Sequence, residues 1–98
     1  MLFHVTWEFT GTSEEAQRRS LKMFAGWQPP DGVEFKGFYG YASGGGGVAI
    51  VEADSAAAIA RTTLPWTPWL RFNVTPIVPI EESSAIAGEA AQWRDSIS

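Results

Sequence analysis

Polar and apolar residues alternate with period two over residues 2–9. Phe3, Val5, Trp7 and Phe9 fall on one side, and His4, Thr6 and Glu8 on the other. That alternation predicts a strand with one buried face. After Gly11 the period changes. Ala16, Ser20, Met23, Phe24 and Trp27 form a stripe at helical spacing, the mark of an amphipathic helix. Thr12 with Glu15 fits a capping box at its start, and Glu14–Arg18 and Glu15–Arg19 are i,i+4 pairs on its polar side. Gln28-Pro29-Pro30-Asp31-Gly32 ends it in a turn.

Residues 33–42 read as a second strand, in which Gly37 and Gly40 predict a bulge or a close backbone approach. Gly44 to Gly47 predict a hairpin connection. A phosphate cradle would need a helix after the glycines, whereas here an apolar segment, residues 48–53, follows and reads as a central strand. Asp54 or Ser55 caps a second helix over residues 55–64, which Pro65 and Pro68 break. Residues 70–78 alternate again, with Leu70, Phe72 and Val74 opposite Arg71, Asn73 and Thr75. Ile86, Ala90, Trp93 and Ile97 share one face of a C-terminal helix that could lie against a partner subunit.

The order β-α-β-β-α-β plus a terminal helix predicts an α+β, ferredoxin-like sandwich. Right-handed crossovers put both main helices on one face of the sheet. Val48, Ile50 and the aromatic residues of 33–42 are then available to the bare face. Large apolar patches mark interaction surfaces, so a homodimer through the open sheet face is expected. The chain reads as one domain, 1–98, with a core over 1–79 and a helical extension over 80–98.

Composition narrows the function classes. With no cysteine and a single histidine, disulfides, thiolate catalysis and a multi-histidine metal site within one subunit are excluded. Neither a metal nor another cofactor is expected. Seven basic residues against eleven acidic ones, a formal charge of −4, argue against nucleic acid. No apolar run approaches the roughly 20 residues that cross a bilayer, so no membrane partner is expected. The opening MLFHVTWEF lacks a leader pattern, which makes the cytoplasm the expected compartment.

The string Gly44-Gly45-Gly46-Gly47-Val48-Ala49-Ile50-Val51-Glu52-Ala53-Asp54-Ser55, followed by Leu70-Arg71-Phe72-Asn73-Val74-Thr75-Pro76-Ile77, resembles the domain of unknown function 3303. This is a group of small bacterial proteins similar to the dimeric α+β barrel superfamily. Val5-Thr6-Trp7 fits as well, and the resemblance covers roughly residues 2–82. It implies the fold and a homodimer but no activity. Wider relatives in that superfamily include cofactor-free monooxygenases, lactone isomerases, polyketide cyclases and haem-binding degraders. The family often places a histidine near Gly40–Ala42, where this chain has Tyr41.

Several residues could carry chemistry. His4 is of the type that exchanges protons near neutral pH. It is a candidate general base or else a half-buried histidine at a dimer seam. Glu52, after four apolar residues, is a second catalytic candidate or a partner for Arg71. Thr6, Asn73 and Arg71 would line rows beside His4, with Arg71 as an anion contact. Trp66 and Trp69 wall a flat pocket or plug the core. Tyr39 and Tyr41 pack across strands or donate to a ligand. Two functions follow. One is a protein that binds a small apolar or aromatic molecule and could act on it without a cofactor. The other is a non-catalytic dimeric binding or protein-interaction module.

Overall fold

In the computed structural model of the chain, which describes residues 1–11 and 13–97, four eight-residue strands form one antiparallel sheet. They are β1 (Leu2–Phe9), β2 (Val33–Gly40), β3 (Gly46–Ala53) and β4 (Leu70–Ile77), ordered β2-β3-β1-β4 across the sheet. Helix α1 (Glu14–Gly26) joins β1 to β2. Helix α2 (Ala56–Thr63) joins β3 to β4 through a short 3₁₀ turn at Leu64–Trp66, and α3 (Ile80–Ile97) follows β4.

Local chemistry sets the helix starts. Thr12, expected as a cap, lies outside the described residues. The Ser13 hydroxyl accepts from the Ala16 amide at 3.1 Å and caps α1. Ser55 caps α2 in the same way, accepting from Ala58 at 3.1 Å. Each serine satisfies one of the amides that a helix leaves unpaired. Of the two expected ion pairs on α1, Glu14–Arg18 forms.

Period-two alternation decides the faces. Phe3, Val5, Ala49, Val51 and Ala53 are buried with Ala58 and Ile59 of α2. Trp27, the C-cap of α1, and Phe24 within it pack their rings against Phe35 and Phe38 of β2 on the same side, at 5.7 and 6.0 Å. Both helices therefore lie on one face. The opposite face shows rows Tyr39-Val48-Thr6-Asn73 and Gly37-Ile50-His4-Thr75.

Strand β2 does not follow simple alternation. Its register against β3 slips between Phe35, opposite Val51, and Gly37, opposite Ile50, so that Lys36 is the extra residue of a bulge. A bulge re-aims the residues beyond it. Phe38 therefore shares the helix-covered face with Phe35, their ring centroids 4.7 Å apart, where unbroken alternation would separate them. The expectation that the aromatic residues of 33–42 clothe the bare face thus holds only for Tyr39, which pairs in register with Val48.

The hairpin between β2 and β3 is tight. Gly44 donates to the Tyr41 carbonyl at 2.9 Å with a φ of +82°, the left-handed region where glycine costs least. Gly46 and Gly47 serve a different need. A Cβ on Gly46 would sit 1.9 Å from the Trp7 carbonyl oxygen, and one on Gly47 would sit 2.3 Å from the Trp7 indole. The glycines let Trp7 lie across the strand.

Helix α3 has no buried residue. The described chain measures 60 × 29 × 20 Å with a radius of gyration of 17.6 Å, against about 13 Å for a compact chain of this length. Among the described residues no helix is long and apolar enough to cross a membrane.

Candidate functional site

The space between α1, α2 and the sheet is not filled. A cleft of ≈ 490 Å³ opens there. Its floor is Val5, Trp7, Ala49 and Val51 from the two central strands, with Phe35, Phe38 and Phe72 from the strands outside them. Its far wall is Phe24 and Trp27 from α1, and Trp66 closes one side.

The rings pack mainly edge to face. Trp7 meets Phe38 at 5.5 Å and 72°, and Trp27 meets Trp66 at 6.0 Å and 77°. Such geometry sets the positive edge of one ring on the negative face of the next. It produces a rigid apolar wall with few polar groups, as small-molecule pockets have. Ser20, Thr62, Thr63 and Tyr41 bring hydroxyl groups to the lining, whereas the Tyr39 ring lies beside Gly37 on the bare face. Ser20 and Thr62 already donate within their own helices, to the carbonyls of Gln17 and Ala58, each at 2.9 Å. No lining residue carries a formal charge. Among the described residues no three His, Asp or Glu side chains converge to hold a metal ion.

The candidates named from the sequence divide between two places. Trp66 and Tyr41 belong to the cleft, and the Tyr39 ring to the bare face. Trp66 is both wall and plug, buried, with its ring 6.2 Å from that of Phe24 and tilted 56° to it. Trp69 is half-buried and is not a lining residue of the cleft. His4, Thr6 and Asn73 lie on the bare face, on the far side of the sheet from the cleft floor. His4 stands in register between Ile50 and Thr75, and Thr6 between Val48 and Asn73.

The ionic partners also differ from expectation. Arg71 pairs with Glu8, its cross-strand neighbour, at 3.3 Å, rather than with Glu52. Glu52 takes the terminal ammonium of Met1 at 2.9 Å, with a side chain 46% exposed. It is a solvated strand-end carboxylate, not one enclosed among apolar residues.

The sequence reading missed Trp7, Phe35 and Phe38 as site residues, and it treated Phe24 and Trp27 as core. One signal for the cleft was present. Gly37 hinted at the bulge, and the bulge is what turns Phe38 toward α1.

Against known proteins, a family model for a domain of unknown function, DUF3303, matches residues 1–91. No curated protein matches the chain.

Proposed function

The chain belongs to the domain of unknown function 3303 family, and from the geometry of its cleft we propose that it binds a small apolar or aromatic molecule between α1 and the sheet. The observation that carries this reading is the volume of ≈ 490 Å³ walled by Trp7, Phe24, Trp27, Phe35, Phe38 and Trp66. Ligand pockets commonly fall between roughly 300 and 1,000 Å³ and are lined by apolar and aromatic groups. A cleft of that size leaves its aromatic lining facing water, and an apolar guest removes that apolar surface from water. Tyr41 at the lining supplies a hydroxyl group that can orient it.

The strand order, with α1 and α2 on one face, supports a ferredoxin-like sandwich that pairs into a dimeric barrel. Leu2, Val48, Ile50 and Ile77 are half-buried on the bare face, a surface suited to a second copy. In such a homodimer His4, Thr6 and Asn73 line the seam. A proton-transfer role for His4 then belongs to the seam and not to the cleft.

The test uses N-phenyl-1-naphthylamine, a neutral probe that fluoresces in apolar surroundings. Saturable binding near one probe per chain is expected. Thr63 is half-buried on the lining, and Thr63→Phe fills the cleft from a position that tolerates a larger side chain. It should weaken the probe by at least about tenfold while leaving the far-ultraviolet spectrum unchanged. Absence of saturable binding, or a filled variant that binds as well as the parent, would sink the reading.

A further inference from the structure

We infer that α3 docks on a second copy of this chain, laying its apolar stripe along that copy's α1 at the mouth of the cleft. The helix has eighteen residues and buries none of them. Ile86, Trp93 and Ile97 stand 50, 63 and 66% exposed, and with Ala90 they recur at the spacing of one helical face. An exposed apolar stripe of this kind marks an interaction surface.

Charge selects the occupant. Glu82 and Glu89 each lie four residues before a stripe residue, Ile86 and Trp93, and so border the stripe. Over the whole helix Glu81, Glu82, Glu89 and Asp95 outweigh Arg94. The exposed side of α1 offers the complement. Leu21, 62% exposed, and Phe24, 49% exposed, form the apolar lip of the cleft; Arg19 and Lys22 adjoin them, and Arg18 pairs with Glu14, so that α1 is net positive where α3 is net negative. An acidic apolar helix and a basic apolar lip fit each other in both sign and polarity.

The chain's own α1 is not what α3 covers, since the helix buries none of its residues. Only Val78 and Pro79 separate β4 from α3. β4 is one edge of the sheet, whereas Phe24 and Trp27 of α1 pack on β2, the other edge. Three strand spacings of about 4.8 Å each lie between those edges. A second copy presents the same α1 lip uncovered. Reciprocal exchange would give each cleft a roof of Ile86 and Trp93 from the other chain, resting to that extent on the ligand-binding reading above.

The absence of cysteine allows a direct test. A Leu21→Cys single variant is mixed with an Ala90→Cys single variant of the full chain and oxidised with copper phenanthroline. A 21–90 disulfide between chains, identified by peptide mass, is expected. Ile86→Glu with Trp93→Glu, both at exposed positions, should slow its formation at least about tenfold. Absence of that disulfide overturns the docking, as does an unchanged rate in the glutamate variant. In the Leu21→Cys/Ala90→Cys double variant, a disulfide formed only within one chain overturns it too. Because no probe enters these measurements, cleft binding of N-phenyl-1-naphthylamine can survive while docking fails, or the reverse.

Discussion

Gly46→Ala isolates the reason for glycine at the start of β3. The added Cβ would lie 1.9 Å from the Trp7 carbonyl oxygen, 2.9 Å from the Trp7 carbonyl carbon and 3.0 Å from Glu8 Cα. All three are backbone atoms, so no side-chain rotation relieves the clash. Unbonded carbon and oxygen rest roughly 3.3 Å apart or more, and β1 must therefore move away from β3. Overpacking of this kind costs about 1–3 kcal/mol. The movement also strains the Tyr41 amide bond to the Gly46 carbonyl at 2.8 Å and the Phe9 amide bond to the Gly45 carbonyl at 3.1 Å. Each such bond is worth about 1 kcal/mol net, which brings the expected loss to about 3–5 kcal/mol. For a chain of this size that lowers the melting temperature by at least about 12 °C. Circular dichroism at a fixed heating rate reads it. Gly44→Ala, which is strained by its φ of +82° but meets no atom within 4 Å, should cost only about 1–2 kcal/mol. Gly88→Ala in α3, also open, should not lower the transition. If Gly46→Ala melts within about 3 °C of the parent, the close approach of Trp7 does not explain this glycine.

Two further outcomes are expected. Ser55→Ala removes the hydroxyl that caps α2 and should lower stability by about 1 kcal/mol, measured as a shift of the urea midpoint at unchanged slope; no shift would mean that the cap contributes nothing to α2. His4→Ala, on the far side of the sheet from the cleft, should leave N-phenyl-1-naphthylamine affinity within about twofold; a large loss would couple the two faces and reopen a role for His4 in the binding cleft.

Much of the fold could be read along the chain because its causes are local. Period-two alternation over residues 2–9 and 70–77 sorts side chains within one strand, and Ser55 and the prolines act within one turn. The strand and helix positions accordingly agree with the reading to within a few residues. The glycines at 44–47 were legible as a hairpin, but not as two devices. Only the packing of Trp7 across β3 separates the left-handed turn at Gly44 from the missing side chains at Gly46 and Gly47.

The candidate site depended on relations between distant segments. Whether Phe38 faces α1 or the bare side is set by the bulge at Lys36, and the partner strand is needed to see where the register slips. His4 and Trp66 were read as members of one site, but the sheet stands between them. Nor does the stripe on α3 state by itself whether the helix packs on its own body. The course of the helix in three dimensions, which buries none of its residues, decides that. Period and turn chemistry act over a few bonds and are written in the sequence; face, enclosure and reach arise when segments dozens of residues apart are brought into register.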